Sequence, residues 1–492
     1  MSMSRNLVKE FIKTVEKNPN KKILGDKKNY NWNKIDRNDL YNKISQGIDV
    51  LKDNNIKNGD MVAYKGKNSV DWVAWNMSCY AVGATWVPMY HNQNAEYCKY
   101  IIKDCKPKIL LANPEHNLDH LDIRKVSNVI EETTNVKDID LIDNELATLI
   151  YTSGTTGNPK GVKLTHENIY SNIEGINKRF SDIEPTRSLN VLPWAHIYSL
   201  TCELYYNLIY DNCTYISSSK EDFIKECSEV NPEVLYVVPK ILELVKTKTD
   251  FMDKPILRLI LPKLINDVFG SNLQNIFIGG AKLDDTTKDY FIRNKINICE
   301  GYGCTETSPM ISVNHLTEPK NIDSIGKILD GVSVKIINDE ICVNGPNVMS
   351  GYWNNKEATE KTIIESDGKM WYKTGDSGHI KDDFLFYSGR ISENYKLNNG
   401  KFVNVSDVEN IIKKHLDSNF IVFGENKNHN RLISDKDITK ATLKNINNDL
   451  DGYLEIKNTI IVSEDKMKEF LTPKLSIKRK PLIEYAENLL QK

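Results

Sequence analysis

The chain has 492 residues, and its 65 lysine and arginine residues nearly balance 67 aspartate and glutamate residues, for a formal net charge of -2. This length exceeds what one hydrophobic core supports and predicts at least two domains. The balanced charge gives no electrostatic basis for nucleic-acid binding. The nine cysteines are scattered without a CxxC pair, which favours a reducing compartment and argues against a disulfide framework or a zinc site.

No segment has the composition of an export signal or a membrane span. The first 22 residues carry charges throughout and contain no apolar core, unlike a secretory signal. No later apolar run reaches the roughly 18 residues that a spanning helix needs. We therefore expect a cytoplasmic protein without a transmembrane segment, and peripheral contact with a membrane surface is left open.

Short apolar runs alternate with amphipathic helical stretches through the first three quarters of the chain. The runs are residues 108–113 (KILLAN), 146–151 (LATLIY), 188–194 (SLNVLPW), 233–239 (EVLYVVP) and 275–280 (NIFIGG). This alternation predicts an α/β layered body. Because ligands in such folds bind beyond the carboxyl ends of the strands, we expect Thr152, His196, Gly279 and Gly301, which follow such runs, to converge on one crevice.

Residues 151–164 (YTSGTTGNPKGVKL) are rich in glycine and hydroxyl side chains and follow an apolar run directly. A helix is predicted from about residue 165, so we place this loop at a strand-to-helix crossing. Its glycines let backbone N–H groups approach phosphate oxygens, its hydroxyls add donors, and Lys160 adds a positive charge. The spacing does not fit GxxxxGK[ST]. We predict an ATP-binding loop of a different class.

Residues 153–162 (SGTTGNPKGV) resemble the signature of the adenylate-forming (AMP-binding) superfamily, which includes acyl-CoA synthetases, luciferases and peptide-synthetase adenylation domains. Three later segments resemble further motifs in the family's order: 301–309 (GYGCTETSP), 371–378 (WYKTGDSG) and 389–403 (GRISENYKLNNGKFV). The resemblance covers nearly the whole chain and is closest to long-chain fatty acyl-CoA synthetases. It implies a large α/β amino-terminal adenylation domain, residues 1–389, and a small mobile α+β carboxyl-terminal lid, residues 390–492.

The resemblance also implies roles for individual residues. The β- and γ-phosphates of ATP would be held by Thr152, Ser153, Gly154, Thr155, Thr156, Gly157 and Lys160. Adenine would stack on Tyr302, beside the backbone of Gly280, Ala281 and Gly303. Asp376 would bind both ribose hydroxyls with help from Arg390, while Thr305 would contact the α-phosphate. Glu306, together with Thr152, would bind Mg²⁺, and His196 would lie near the acyl carboxylate. Each role has a structural alternative, such as a turn residue for Asp376 or a hydrogen-bonded core group for His196.

The reaction that this resemblance implies joins a fatty acid to coenzyme A. The carboxylate attacks the α-phosphorus of ATP, pyrophosphate leaves, and the thiol of coenzyme A then attacks the acyl-adenylate. Negative charge develops around phosphate oxygens, so hydrogen-bond donors, cations and Mg²⁺ should supply most of the catalysis. An apolar acyl channel would gain about 0.8 kcal/mol per buried CH₂. Trp194, Ile197, Tyr198 and Leu200 flank His196 and are candidate wall residues, although core packing explains them equally well.

The carboxyl-terminal segment departs from the family pattern. Residues 471–480 (LTPKLSIKRK) resemble a closing motif LTPTLKLKRK, but the position of its catalytic lysine is Ser476. The hinge position, usually charged, is Ser392. Loss of such a donor typically costs about 10²- to 10³-fold in rate. Three readings stay open: a neighbouring Lys474 or Lys478 substitutes, the enzyme is slow in adenylation while it retains thioester chemistry, or it is a degenerate member that binds acyl groups or nucleotide without turnover. An acyl-AMP ligase that loads a carrier protein is the alternative among enzymes.

Overall fold

The computed structural model describes residues 5–113, 118, 121–131, 137–152, 158–184, 186–249, 261–315, 324–471 and 477–490. The strands in this part of the chain are β1 (Lys22–Lys28), β2 (Asn31–Asp36), β3 (Met61–Lys65), β4 (Thr85–Met89), β5 (Ile109–Ala112), β6 (Lys125–Ser127), β7 (Leu146–Thr152), β8 (Lys160–Thr165), β9 (Arg187–Asn190), β10 (Cys213–Ile216), β11 (Val234–Val237), β12 (Asn275–Ile278), β13 (Asn297–Gly303), β14 (Met310–Val313), β15 (Lys327–Ile328), β16 (Ser333–Ile337), β17 (Glu340–Asn344), β18 (Ile363–Ser366), β19 (Lys369–Lys381), β20 (Phe384–Arg390), β21 (Tyr395–Lys396), β22 (Phe402–Val403), β23 (Phe420–Phe423), β24 (Asn430–Ser434) and β25 (Ile456–Ile461).

The α-helices are α1 (Leu7–Lys17), α2 (Arg37–Asp53), α3 (Val70–Ala81), α4 (Ala95–Cys105), α5 (His166–Arg179), α6 (Tyr206–Ile209), α7 (Phe223–Val230), α8 (Pro239–Thr249), α9 (Leu261–Val268), α10 (Asp285–Arg293), α11 (Lys356–Thr362), α12 (Val405–Lys413), α13 (Lys440–Asp449), α14 (Glu464–Glu469) and α15 (Arg479–Leu490). A π-helix spans Ser199–Tyr205, and two 3₁₀ turns span Thr305–Thr307 and Ile391–Glu393. Within the described residues, no helix is both long and apolar enough to cross a membrane.

Two large sheets organise the body of the protein. One sheet runs β16-β17-β19-β20-β15-β14-β13-β12-β11-β9-β10-β1-β2, and the other runs β6-β5-β3-β4-β7-β8. The first is parallel from β10 through β9, β11 and β12 to β13 and antiparallel from β13 to β20. The predicted runs become β5, β7, β9, β11 and β12. The prediction of an α/β layered body is confirmed.

The largest hydrophobic core joins the two sheets through buried helices. Helix α3 begins after Ser69, whose side chain accepts a hydrogen bond from the N–H of Trp72, and every residue of this helix except Asp71 is buried. A helix that is apolar on all sides must be enclosed by other elements. Residues of α2, α3, α5 and the π-helix pack in one cluster with residues of β1, β3, β4 and β7, so this core fixes the two sheets against each other.

The phosphate-loop segment connects two strands rather than a strand and a helix, so the predicted strand-to-helix crossing is wrong. Thr152 at the end of β7 pairs with Lys160 at the start of β8 in an antiparallel ladder. Strand β8 is stabilised on its other edge as well, because the N–H of Trp353 donates to Gly161 O (2.7 Å). Helix α5 begins only at His166, where Thr165 and Asn168 form a capping box.

The residues after Arg390 form hydrophobic clusters of their own around β21–β25 and α12–α15. Arg479, at the start of α15, is largely buried, and its guanidinium donates to Glu409 Oε1 (2.8 Å) and Val422 O (2.6 Å). This residue belongs to the basic run 478–480, and its charge is used inside this region. The division of the chain at 389/390 and the mobility of the lid stay predictions.

Candidate active site

Four segments carry the polar groups of the candidate site: the facing ends of β7 and β8, the end of β13 with the turn that follows it, β19, and the end of β20. We call the following residues the nucleotide side: Thr152, Lys160, Tyr302, Thr305, Glu306, Asp376 and Arg390. The loop residues Ser153, Gly154, Thr155, Thr156 and Gly157 lie outside the described part of the chain. The β7–β8 pairing nevertheless places Thr152 and Lys160 side by side at the two ends of that loop.

The turn that carries Thr305 and Glu306 follows β13 directly. A Cβ at Gly303 would lie 1.7 Å from the carbonyl oxygen of Pro309, so only glycine allows this close approach. The amide of Asn347 donates to Thr307 O (3.0 Å), and the amide of Asn172 donates to Met310 O (2.7 Å). These bonds from α5 and from the segment after β17 hold the turn in place. Thr305 is buried, and Glu306 is partly exposed.

Tyr352 connects the two halves of the phosphate and metal region. Its hydroxyl donates to Glu306 Oε1 (2.8 Å), and the Nζ of Lys160 lies 5.0 Å from the centre of its ring. The N–H of Met349 also donates to the backbone oxygen of Glu306 (2.8 Å). The segment from Met349 to Tyr352 therefore holds Glu306 through both its side chain and its backbone.

Asp376 and Arg390 face each other across β19 and β20. They are paired in the antiparallel ladder, and Arg390 Nε lies 2.9 Å from Asp376 Oδ1. The hydroxyl of Tyr302 donates to the other carboxylate oxygen (2.6 Å). Burial raises the pKa of the Asp376 carboxyl, while Arg390 and the Tyr302 hydroxyl act in the opposite direction. Asp376 thus lies within a strand and contacts both Tyr302 and Arg390.

Gly280 and Ala281 lie in an exposed loop after β12. Gly280 has φ +84, a left-handed conformation that favours glycine. The loop is anchored by Glu300 of β13, which is buried and accepts hydrogen bonds from the N–H of Leu283 (3.0 Å) and from Lys288 Nζ (2.9 Å). Glu300 was not singled out in the sequence, where it reads as an ordinary charge at the end of an apolar run.

His196 lies in the loop between β9 and the π-helix. Its Nδ1 accepts a hydrogen bond from the N–H of Tyr198 (3.2 Å), so the neutral ring carries its proton on Nε2, which is then a donor. Asn68 holds the same loop by accepting from the N–H of Trp194 (3.0 Å) and by donating to Leu192 O (2.8 Å). The orientation of this loop is therefore set by side chains from outside it.

An apolar cavity of about 180 Å³ lies next to this histidine loop. We call it the aromatic cavity, and it is lined by Ile176, Asn177, Phe180, Ile183, Glu184, Thr186, Tyr198, Cys202, Tyr206, Tyr210, Asn212, Val234, Tyr236, Phe277, Met310 and Val313. Tyr198 connects it to the His196 loop, and its ring fills the space that a Cβ at Gly279 would need. Met310 connects it to the Glu306 turn. Of the four predicted wall residues, Tyr198 lines the cavity, whereas Trp194, Ile197 and Leu200 belong to the large core.

The donor set of the nucleotide side fits Mg²⁺ bound together with a nucleotide. Magnesium in such sites is held by one or two carboxylates and by substrate phosphates. Among the described residues, no group of three or more His, Cys, Asp or Glu side chains is arranged to hold a metal ion alone. Glu306 uses one carboxylate oxygen for Tyr352 and is partly exposed, so its second oxygen can face a phosphate-bound cation. Thr152 supplies a hydroxyl at the end of β7.

The structure thus brings Thr152 and Lys160 near Glu306 through Tyr352, and Tyr302 near Asp376 and Arg390. The roles assigned to these residues, to Thr305 and to His196 stay predictions. Ser476 and Lys474 lie outside the described residues, while Ser392 is exposed in the 3₁₀ turn after β20. Residues missed in the sequence are Tyr352, Glu300, Asn172 and Asn347. Tyr352 stands in residues 345–359 (GPNVMSGYWNNKEAT), a segment that resembles the family without showing what any of its side chains contacts.

Comparison with known proteins now identifies the class. Residues 11–353 match the family described as AMP-binding enzyme, and the chain belongs to this family. The resemblance to the adenylate-forming superfamily is therefore confirmed, and so is the prediction of an enzyme of this AMP-forming class.

Individual relatives agree with this assignment. The chain is 27% identical over 464 residues to the long-chain-fatty-acid–CoA ligase FadD15 of Mycobacterium bovis, covering 80% of this chain and 76% of that protein. Its fold is similar to that of ATP-bound MatB from Rhodopseudomonas palustris, with a TM-score of 0.83, 20% identity and coverage of 99% and 100%. It is also similar to o-succinylbenzoate coenzyme A synthetase (MenE) from Bacillus subtilis in complex with ATP and magnesium ion, with a TM-score of 0.81, 20% identity and coverage of 96% and 99%. The predicted adenylate-forming fold is confirmed.

Proposed function

We propose that this protein is a fatty acid–CoA ligase that activates its acid with ATP and Mg²⁺ through an acyl-adenylate. The observation that carries the proposal is the junction of the aromatic cavity with the nucleotide side. Tyr198 and Met310 line the cavity, and they lie two residues from His196 and four residues from Glu306 in the chain. An apolar tail in the cavity would place its carboxylate at this junction, beside the groups assigned to the α-phosphate.

The cavity wall supports an apolar acyl substrate. Its aliphatic and aromatic lining matches a hydrocarbon tail, whose burial gains about 0.8 kcal/mol per CH₂. The volume of about 180 Å³ is close to that of an apolar protein cavity of about 150 Å³ that holds benzene. In this conformation the space accommodates a segment of about six carbons, and a long-chain acid requires side chains at its far end to move. The long-chain class rests on the names of the curated relatives.

Different residues would bind the phosphates, hold Mg²⁺, orient the nucleoside and orient the acid. Lys160 and Thr152 would hold the terminal phosphates, and Glu306 would hold Mg²⁺, which supplies charge neutralisation at the phosphates when it is bound. Asp376 and Arg390 would orient the ribose, with adenine against Tyr302. The Nε2 proton of His196 would orient the acyl carboxylate for attack on the α-phosphorus. The thiol sulfur of coenzyme A would then attack the acyl carbon of the adenylate, the bond from that carbon to the phosphate oxygen would break, and AMP and the thiol proton would leave. This step would use a second conformation of the lid, reached by rotation about Arg390 to Ser392.

A second candidate function is favoured by Ser476, which stands where the family motif has a lysine. A protein without that cation would bind ATP and acid but adenylate slowly, or act as an acyl or nucleotide sensor. A ligase that transfers the acyl group to a carrier protein is the third candidate.

One assay separates these candidates. Purified protein is incubated with ATP, Mg²⁺ and saturated fatty acids of 6 to 18 carbons, and pyrophosphate and acyl-CoA are measured with and without coenzyme A. We expect both products when coenzyme A is present. Acyl-adenylate that accumulates without thioester favours the carrier-protein ligase. ATP binding without either product favours the sensor, and absence of ATP binding refutes all three.

The missing lysine is tested in the same assay. We expect Ser476→Lys to raise the rate of pyrophosphate release by roughly 10²-fold, the gain expected from restoring a cationic donor. No gain, together with loss of activity in Lys474→Ala or Lys478→Ala, would show that a neighbouring lysine replaces it.

A further inference from the structure

We infer that Tyr352 is a positioning residue that couples the magnesium carboxylate Glu306 to the phosphate cation Lys160. This inference rests on the proposed function, because it takes the roles of those two residues from it. Tyr352 would touch neither the substrate nor the reacting atoms. It would act by holding the two groups that do.

The geometry gives each end of the Tyr352 side chain a different task. The hydroxyl donates to Glu306 Oε1 at 2.8 Å, which fixes the rotation of the carboxylate and leaves one oxygen for a cation. The face of the ring lies 5.0 Å from Lys160 Nζ, within the range of a cation–π contact. Without that contact, a long lysine side chain has many rotamers, and holding one of them is costly in entropy.

The backbone makes Tyr352 a rigid support. Val162 of β8 and Tyr352 form an antiparallel bridge, flanked by hydrogen bonds from Lys163 to Gly351 (3.0 Å) and from Trp353 to Gly161 (2.7 Å). The N–H of Tyr352 itself donates to Thr359 Oγ1 (2.9 Å). The strand that begins with Lys160 is thus paired directly with the segment that carries Tyr352. Any displacement of β8 relative to the segment that carries Tyr352 must break this pairing.

The hydroxyl of Tyr352 is the donor in its hydrogen bond to Glu306, because a carboxylate oxygen only accepts. A hydrogen bond of this kind to a metal-binding carboxylate orients the ligand. Removal of such a partner typically costs about 10- to 100-fold in metal affinity or activity.

The alternative is that Tyr352 is only a core residue. It exposes 6% of its surface and belongs to the largest hydrophobic cluster. A core role predicts that its variants lose stability without a change in magnesium dependence. The two roles therefore differ in a quantity that can be measured without turnover.

The test uses two variants of the full chain and a non-hydrolysable ATP analogue. Tyr352→Phe keeps the ring and removes the hydroxyl, whereas Tyr352→Leu removes both. The dissociation constant of the analogue is measured by calorimetry across a Mg²⁺ titration and also in its absence. We expect Tyr352→Phe to shift the Mg²⁺ midpoint upward by about 10-fold or more and to bind the analogue as the wild type does without Mg²⁺. We expect Tyr352→Leu to bind it several-fold more weakly even without Mg²⁺.

Tyr80→Phe is the matched control. It removes another buried tyrosine hydroxyl, which lies 2.8 Å from the hydroxyl of Tyr205 and is not part of the nucleotide side. Its Mg²⁺ titration should superimpose on that of the wild type. A double variant with Glu306→Gln adds a second check, because Tyr352→Phe should have little further effect once the carboxylate is gone.

The inference is overturned if Tyr352→Phe leaves the Mg²⁺ midpoint unchanged, whatever it does to the melting temperature. It is also overturned if Tyr352→Phe and Tyr80→Phe shift the midpoint equally. If both Tyr352 variants bind the analogue alike without Mg²⁺, the coupling to Lys160 is refuted. A wild-type protein that does not bind the analogue at all would refute the proposed function, whereas binding that does not depend on Mg²⁺ would refute this inference alone.

Discussion

The nucleotide side and the aromatic cavity adjoin each other but are assembled differently. The nucleotide side takes its polar groups from four short segments, each at the end of a strand or within a strand pair. The cavity takes its wall from α5, the π-helix, α6, β11, β12, β14 and connecting residues, with one or two side chains from each of these helices and strands. A polar site requires particular residue types at neighbouring positions, so it is recognisable as a motif in the sequence. An apolar wall requires only a side chain of suitable size at each position, so it is not.

This difference has a thermodynamic counterpart. A hydrogen bond to a charged group depends on distance and direction, so replacing one polar atom has a large effect on binding. The contribution of an apolar wall is spread over many small contacts, so replacing one side chain changes selectivity by degrees. Variants on the two sides of the junction should therefore differ in both the size and the kind of effect.

The largest effect is expected at Asp376 on the nucleotide side. Asp376→Asn keeps the shape of the side chain but removes the charged acceptor for the ribose hydroxyls. Hydrogen bonds to charged groups contribute about 1.5–3 kcal/mol each, so we expect kcat/KM for ATP to fall by at least roughly 10²-fold. Steady-state pyrophosphate release with ATP varied measures this.

Asp382→Asn, in the turn between β19 and β20, is the control for that variant. It makes the same chemical change at a turn residue with φ +50, a conformation that asparagine also adopts. Equal kcat/KM for ATP in the two variants would show that Asp376 does not bind the nucleotide and would remove the contrast between the two regions.

A smaller effect, and one on selectivity, is expected at Phe277 in the aromatic cavity. Its ring lies 5.0 Å from that of Phe180 and 5.4 Å from that of Tyr236. Phe277→Ala lengthens the space available to an acyl tail. Each additional buried CH₂ gains about 0.8 kcal/mol, or about fourfold, so two more carbons should shift the ratio of kcat/KM for a longer over a shorter acid by roughly 15-fold. Competition between two acids in one reaction measures this ratio.

Phe291→Ala tests whether any buried phenylalanine has the same effect. Phe291 packs in a different core cluster, against Tyr290, and its loss should lower stability. A ratio of two kcat/KM values does not depend on the amount of folded enzyme, so it should stay at the wild-type value. A shifted ratio in Phe291→Ala, or an unshifted one in Phe277→Ala, would show that this cavity does not select the acid.

The same contrast explains how much was predictable from sequence. The order of strands β5, β7, β9, β11 and β12 follows from short apolar runs between amphipathic stretches, and the nucleotide residues follow from their resemblance to family motifs. The sequence does not reveal the β7–β8 hairpin, because residues 160–164 read as the end of the glycine-rich loop, whereas their pairing with Gly351 and Trp353 comes from distant sequence. Tyr352 was missed for the same reason. Its hydroxyl contacts Glu306 and its ring contacts Lys160, and both contacts depend on how distant parts of the chain fold together.

Glu203 is the least predictable residue, since in the sequence it is one charge within residues 199–205 (SLTCELY). The structure buries it completely in the π-helix beside Cys202 of the aromatic cavity, where its Oε2 accepts a hydrogen bond from Asn190 Nδ2 (2.6 Å). Burial raises the pKa of Glu203 to about 8, and the hydrogen bonds from Asn190 and Ser188 offset only part of this. The carboxyl is therefore protonated in the folded protein at neutral pH.

The effect expected from this carboxyl is on stability rather than on catalysis, as a pH dependence of the free energy of unfolding. Between the ordinary pKa of 4.5 and the folded value of about 8, the folded state holds a proton that the unfolded state has lost. The contribution of Glu203 is therefore fully present below pH 4.5 and is lost as pH rises to about 8, at about 1.4 kcal/mol per pH unit.

Glu203→Gln removes this dependence. The free energy of unfolding of the variant minus that of the wild type should increase by this slope from pH 5 to pH 8 and then level off, as measured by denaturant titration. Glu243→Gln is the control, because it makes the same chemical change at a partly exposed carboxylate on α8 that contacts Lys240. A flat difference for Glu203→Gln would mean that Glu203 is ionised in the fold and that the wall behind the aromatic cavity is charged, in contradiction to the apolar acyl site proposed here.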